Sequence, residues 1–325
     1  ISHAEQKGNG AFRLFYRRMA VLLAIGFLHL MFIWSGDILM LYALMGMVLP
    51  LFRNVSNRKM LSWAAFFLLL PVAVDTLTQI FGVSFSAPAV EAQWHYCRKY
   101  GITEENFGYW LRDADSYAQV FQFLIQGALV RVQEFVDGNR YFKVLGLFLI
   151  GYYIGRQKIY ADLSAHRHLL RRVSVIGFSV GIPLSVVYAW SAVGGHPFGN
   201  AAHSLLYAVS VYPLGFAYMS SLCLLYLRSS SSAVWCALAA PGRMALTNYI
   251  CQSIAGMFLF YGIGFGLGAG VGLSFTEIIA LGVFVLQMLL SRLWLHYCLF
   301  GPLEWIWRML NYGKPLQLFK QKQRG

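Results

Sequence analysis

The stretch Met19–Phe52 reads MAVLLAIGFLHLMFIWSGDILMLYALMGMVLPLF and holds one formal charge, Asp37. As one helix it would run roughly 50 Å at ~1.5 Å per residue. That is too long for a hydrocarbon core of ~30 Å. Its turn-forming cluster is Ser35-Gly36-Asp37. The stretch therefore predicts two membrane spans, about 19–35 and 37–52, reversed by a tight outer turn. Arg13, Arg17 and Arg18 flank one end, and Arg53, Arg58 and Lys59 the other. Both ends are thus expected on the positively marked, inner side.

The rest of the chain follows the same pattern. Its 325 residues are 58% hydrophobic and 12% charged, against about 25% charged in soluble domains. The mean hydropathy is +0.56, so lipid contact must replace the missing polar surface. The net charge of +13 does not point to nucleic acid, because the basic residues stand at the ends of apolar runs rather than on a soluble face. The five cysteines form no CxxC pair and no cluster with histidine, so no metal site is expected. There is no H-E-x-x-H, Walker A lysine or Gly-x-Ser-x-Gly motif. Metalloprotease, ATPase and serine hydrolase readings therefore have no motif behind them.

We expect an all-α transmembrane helix bundle of about eight spans, forming one membrane domain over 1–325. The first three spans occupy 19–82. Residues 83–139 hold most of the acids and are expected outside the membrane on the periplasmic side. Within them, Ser116–Val136 is expected to be a half-buried amphipathic helix rather than a span. The segment 140–325 supplies the remaining spans: Tyr141–Gly155, then about 173–192, 203–227, 244–262 and 274–299. On this topology six of the 26 Lys and Arg lie outside (Arg98, Lys99, Arg112, Arg131, Arg140 and Lys143), leaving 20 inside. That asymmetry predicts a multi-pass protein of the bacterial cytoplasmic (inner) membrane with a cytoplasmic C-terminus, its tail marked by Lys314, Lys320, Lys322 and Arg324.

Gly151/Gly155 and Gly177/Gly181 are spaced for close helix approach. The alternating glycines from Gly262 to Gly272 predict a mobile loop or re-entrant turn. Ser274 and Glu277 have the spacing of a capping box. Glu304 and Arg308, four apart beside Trp305 and Trp307, predict a salt-bridged interfacial helix. Asp75 is expected to pair with a cation or a hydroxyl.

Several stretches carry a family resemblance: Arg17-Arg18, Gly26-Phe27-Leu28-His29, Gly36-Asp37-Ile38-Leu39, Tyr42-Ala43, Gly146–Gly155 (GLFLIGYYIG), Gly242–Tyr249 (GRMALTNY) with Gln252-Ser253, and Gly301–Arg308 (GPLEWIWR). Together they resemble the YeiB-like family of bacterial membrane proteins, which carries domain of unknown function 418. The resemblance covers nearly the whole chain. It implies one or two further spans upstream. It also implies a distant likeness to transmembrane acyltransferases, which carry an acyl group from cytoplasmic acyl-CoA to an acceptor.

The candidate site residues are polar groups inside spans, where burial is costly and function common. His29 lies ten residues into the first span and is a candidate general base or acyl carrier; its structural alternative is a helix-to-helix hydrogen bond. Asp37 is its candidate catalytic partner. Eight residues of straight helix separate the two by ~12 Å, so pairing needs a bend, and a helix N-cap is the alternative. Asn248 and Gln252, with Tyr249 beside them, are candidate substrate-binding residues or helix-to-helix contacts. One of these amides is expected to share a polar cavity with His29. Arg243 opens the seventh span, and Arg292 and His296 share a face of the eighth; all three are candidates for holding phosphate groups. A positive-inside anchor for Arg243 and snorkelling for Arg292 are the alternatives.

The leading expectation is acyl transfer, with acyl-CoA as co-substrate, to a small-molecule or envelope-associated acceptor. The rivals are a permease for a small solute and a non-catalytic scaffold. The lipid bilayer is the expected environment, and a homo-oligomer is compatible with it.

Overall fold

A computed structural model describes residues 9–320; Lys322 and Arg324 of the tail lie outside the described residues. The described chain is all-α. It has twelve α-helices and one short 3-10 segment, with no strand among the described residues and a lone bridge between Cys298 and Phe319. The helices are α1 (Asn9–Phe32), α2 (Leu39–Val48, continued by 3-10 residues Leu49–Phe52), α3 (Asn57–Phe81), α4 (Ala87–Tyr100), α5 (Tyr117–Asp137) and α6 (Arg140–Arg156). Then come α7 (Arg167–Val193), α8 (Gly199–Arg228), α9 (Ala233–Arg243), α10 (Ala245–Phe260), α11 (Leu273–Tyr297) and α12 (Pro302–Tyr312).

Five of these are long and apolar enough to cross a membrane: Phe12–Phe32, α3, α7, α8 and α11. Each expected span has a helix, but α2, α6 and α10 have 10, 17 and 16 residues. They run ~15–26 Å at ~1.5 Å per residue, less than a full hydrocarbon core. The surface of the long helices is apolar. In α11, Leu286, Leu289 and Leu293 are each more than half exposed, which water would oppose and lipid accepts. This is a membrane protein.

The chain falls into two compact units. One comprises residues 45–85 and 134–232. Its core joins Met60 and Ala64 of α3 to Leu149 and Tyr152 of α6, and α7 packs along α8. The α7–α8 contact uses the expected glycines. A Cβ at Gly181 would stand 2.9 Å from the Leu214 Cβ, and one at Gly177 would collide with the Pro213 carbonyl. Gly151 and Gly155 face open space instead, so their spacing creates no helix contact. Asp75 of α3 accepts from the Asn139 amide at 2.7 Å and from the Ser204 hydroxyl.

The second unit comprises residues 9–44, 86–133 and 233–320 and carries all eight candidate site residues. Three sequence expectations change here, and a fourth, left open between two forms, is narrowed. The expected seventh span begins at Ala245, preceded by the separate helix α9, so Arg243 closes α9 rather than opening α10. No side chain caps α11, because it starts at Leu273 on a Gly272 cap; Ser274 is already inside the helix, too late to cap it. Glu304 does not pair with Arg308. Its carboxylate accepts from the Thr247 N–H at 2.9 Å and the Thr247 hydroxyl at 2.5 Å, anchoring α12 to the start of α10, where the helix dipole favours an anion. The glycine run is folded back on α10, with Phe265, Leu267 and Gly268 N–H groups on the Phe258, Leu259 and Phe260 carbonyls. It is a turn hydrogen-bonded to the end of α10.

Candidate functional site

The first half of the site is made by the end of α1. The His29 carbonyl accepts from the Ile33 and Trp34 N–H groups at 3.0 and 2.9 Å, and the helix stops at Phe32. The chain reverses through Ser35-Gly36 and re-enters a helix after Asp37. A straight helix would hold His29 and Asp37 ~12 Å apart. The early stop instead brings His29 Nδ1 to 2.9 Å from Asp37 Oδ2. The other carboxylate oxygen accepts the Met40 N–H at 2.8 Å. The two roles set against each other for Asp37, helix cap and histidine partner, are therefore both filled, one by each oxygen. Both side chains are 1% exposed. Gly26 makes room for the reversal: a Cβ there would stand 2.6 Å from the Met40 nitrogen and 3.0 Å from Asp37 Oδ1.

Helix α10 closes the other side. Ser253 Oγ lies 2.8 Å from His29 Nε2. The Tyr249 ring is 5.0 Å from the imidazole, centroid to centroid. Its hydroxyl accepts the Ile38 N–H at 3.3 Å and reaches Asp37 Oδ2 at 3.5 Å. With a neutral ring beside a carboxylate that accepts, these distances fit the tautomer in which Nδ1 donates to Asp37 and Nε2 accepts from Ser253. Aspartate, imidazole and hydroxyl thus stand in one line, in the order that activates a nucleophile.

Sequence reasoning missed Ser253. Its signals were its place in the Gln252-Ser253 family stretch, where no role was given to it, and its position four residues after Tyr249 on the same face of a helix; no elbow motif marks it. The amides expected near His29 are elsewhere. At ~100° per residue, Asn248 and Gln252 sit beside the Tyr249–Ser253 face and point at α11. Asn248 donates to Ser291 Oγ at 3.0 Å, Gln252 to Gln287 Oε1 at 2.8 Å, and Gln287 to the Asn248 carbonyl at 2.9 Å.

Helix α5 fixes the turn that carries Asp37. Arg131 Nε donates to the Ser35 carbonyl at 3.0 Å, and the Tyr117 hydroxyl to the Phe32 carbonyl at 2.6 Å. A Cβ at Gly127 would stand 2.7 Å from the Ser35 Cβ. The charge on α5 is thus partly internal, since Arg131 is 9% exposed.

The three basic candidates meet in a second feature of the same unit. A cleft of about 260 Å³ is lined by Arg243, Arg292, His296 and Lys320, together with Cys236, Ala239, Ala240 and Leu295. No carboxylate is among the lining residues. Arg243 reaches the Leu299 carbonyl at 3.4 Å and Lys320 the Leu295 carbonyl at 2.6 Å. Such a wall suits an anion, with guanidinium groups matched to phosphate oxygens.

Comparison with known proteins places the chain. Residues 154–314 match the family model described as protein of unknown function (DUF418). The chain is 30% identical to the uncharacterized protein YxaH of Bacillus subtilis (strain 168) over 96% of this chain and 75% of that protein. The chain belongs to the DUF418 family. It is also 26% identical to the uncharacterized 39.9 kDa protein in the amylase 3' region of Bacillus acidopullulyticus, over 99% of this chain and 78% of that one. With the uncharacterized protein YeiB of Escherichia coli (strain K12) it shares 24% identity over 90% of this chain and 74% of that one. No solved structure matches. Within this DUF418 chain, Ser253, Tyr249 and the basic cleft, except Lys320, fall inside the matched segment, while His29 and Asp37 precede it.

Proposed function

We propose that this DUF418 protein is an acyltransferase of the bacterial inner membrane, its C-terminal tail in the cytoplasm. It moves an acyl group from cytoplasmic acyl-CoA to a small or envelope-associated acceptor. The observation that carries the reading is the buried His29–Asp37 pair, with Nδ1 on the carboxylate and Nε2 turned to a hydroxyl. A carboxylate that fixes one tautomer prepares the other nitrogen to take a proton. A helix contact needs no such arrangement, and burying both groups inside a membrane protein is costly.

In the transfer, the acceptor hydroxyl or amine bonds to the thioester carbonyl carbon as its proton passes to His29 Nε2. The C–S bond of the thioester breaks, and the CoA sulfur leaves with that proton. The phosphates of CoA would lie against Arg243, Arg292 and His296 of the basic cleft, where the positive charge distribution of the chain puts the inner surface. Tyr249 borders the reacting groups. Asn248 and Gln252 serve this reading indirectly, by tying α10 to α11.

The test is transfer in proteoliposomes, using radiolabelled acetyl-CoA and longer acyl-CoA donors with an envelope extract as acceptor. Wild-type protein should move label into the extract. His29→Gln, which keeps side-chain polarity but not basicity, should abolish transfer. Arg292→Glu should raise KM for the donor with kcat little changed, as expected when binding shared by substrate and transition state is lost. An active His29→Gln variant would remove the base from the scheme. One observation favours a permease for an anionic solute as the second reading: the helical break at Met244, between α9 and α10, beside the basic cleft. That reading requires solute flux through liposomes with no loss of thioester.

A further inference from the structure

We infer that Ser253 is a nucleophile, so that the acyl group passes through an ester on Ser253 and transfer is a double displacement. The inference rests on the acyl-transfer reading and adds a covalent step to it.

Ser253 meets the imidazole of His29. Ser191 also meets an imidazole, His203 Nδ1 at 3.3 Å, but the ring beside Ser253 is closer and has its other nitrogen on a carboxylate. A serine inside an apolar helix usually satisfies its hydroxyl on the carbonyl one turn back. Ser210 of α8 does so at 2.6 Å from the Leu206 carbonyl, and Thr76 of α3 at 2.6 Å from the Val72 carbonyl. Ser253 is 3.4 Å from the equivalent Tyr249 carbonyl but 2.8 Å from His29 Nε2. The shorter contact is thus the one to the imidazole, with the backbone carbonyl a long second partner. Exposure follows the same gradient: Asp37 and His29 are buried, while Ser253 is partly open. The reachable member of the line is the one whose oxygen would attack. The acid–imidazole–hydroxyl order with these distances lies within the 2.6–3.2 Å range expected of an activated nucleophile and its base.

The chemistry balances without a further reagent. The Ser253 hydroxyl gives its proton to His29 Nε2, and Oγ bonds to the thioester carbonyl carbon. The tetrahedral adduct collapses with cleavage of the C–S bond, and the CoA sulfur leaves with the proton from Nε2. The enzyme then holds an acyl ester on Ser253. In the second half, the acceptor hydroxyl or amine gives its proton to Nε2 and attacks the ester carbonyl. Oγ departs and recovers the proton.

The test does not depend on knowing the acyl group. Full-length protein in detergent is treated with an alkyl fluorophosphonate, which phosphonylates activated serines, and adducts are mapped by mass spectrometry. The expected result is an adduct on Ser253 that Ser253→Ala removes and His29→Gln slows by about 10⁴-fold, with the thermal unfolding of each variant showing that it is folded. In a second arm, Ser253→Cys incubated with radiolabelled acetyl-CoA should trap a thioester released by neutral hydroxylamine, whereas the wild-type ester should require alkaline conditions. Folded wild-type protein with no adduct on Ser253 overturns the inference. So does a Ser253→Ala variant that transfers acyl groups at the wild-type rate while His29→Gln does not; direct transfer by His29 would then stand. Folded wild-type protein that moves no acyl group from acyl-CoA would instead remove the acyl-transfer reading itself, and transfer by the His29→Gln variant at the wild-type rate would overturn the inference by removing the base that activates Ser253.

Discussion

Replacing Asp37 by Asn separates the structural from the chemical role of this side chain. The wild-type carboxylate accepts two good hydrogen bonds, from His29 at 2.9 Å and Met40 at 2.8 Å. An asparagine oxygen can keep the Met40 cap, leaving the amide NH₂ facing the imidazole. His29 must then present a bare Nδ1 and carry its hydrogen on Nε2, so it donates to Ser253 instead of accepting. The structural loss is two charge-assisted bonds exchanged for neutral ones, about 2 kcal/mol in all, a shift of a few degrees in Tm. The chemical loss is far larger, because a base with its proton on the wrong nitrogen cannot take another. For a hydroxyl–imidazole–carboxylate line, the wrong tautomer costs about 10⁴-fold in rate, equivalent to about 5.4 kcal/mol. Fluorophosphonate labelling of Ser253, run beside thermal unfolding in detergent, measures both quantities on one sample. Asp37→Ala should lose about 1 kcal/mol more through the cap and be no slower. An Asp37→Asn variant labelled within tenfold of the wild-type rate would refute the reasoning.

Three other expectations follow from packing and burial. Gly26→Ala introduces a methyl group 2.6 Å from the Met40 nitrogen, which must push α2 away by about 0.8 Å to restore normal contact. It should stretch the His29–Asp37 bond beyond hydrogen-bond range, cost about 1–3 kcal/mol, and lower both Tm and Ser253 labelling. Gly181→Leu, in the α7–α8 contact of the other unit, should lower Tm by a similar overpacking cost and leave labelling of the folded fraction unchanged. Cys97 is fully buried, and burial pushes its thiol up more strongly than neighbouring Arg98 pulls it down. Little thiolate forms at neutral pH, so maleimide should modify Cys97 only on unfolding, while Cys236, which is exposed, reacts in the folded protein.

The helical class of the fold was legible in the sequence because apolar runs of membrane length have one economical conformation. The turn at Ser35–Asp37 was legible because the run was too long for one span. The shortness of α2, α6 and α10 was not, because hydropathy marks where a chain is apolar and not where its helix stops. That same uncertainty hid the His29–Asp37 bond: on a straight helix the pair is out of reach, and only the stop at Phe32 joins them. Ser253 stood in a quoted family stretch, but its role was hidden for another reason. A serine in an apolar helix is ordinarily satisfied by its own backbone, and its partner His29 is 224 residues away in sequence. Asn248 and Gln252 drew attention as larger polar groups, yet they join α10 to α11 one face away. The basic residues Arg243, Arg292 and His296 were individually legible as cations near helix ends, but their convergence on one cleft with Lys320 depends on how α9 packs on α11 and on where the chain after α12 runs.

The tautomer of His29 tests the central claim most directly, because the Asp37–His29–Ser253 line depends on which ring nitrogen carries the proton. Nitrogen NMR on full-length protein with labelled histidine, in detergent or bilayers, reads this without any substrate; comparison with His29→Gln identifies the signal. The account predicts a neutral ring protonated on Nδ1 and bare on Nε2, with the bare nitrogen's signal shifting in Ser253→Ala. A ring carrying its proton on Nε2, or one indifferent to both Asp37→Asn and Ser253→Ala, would contradict it.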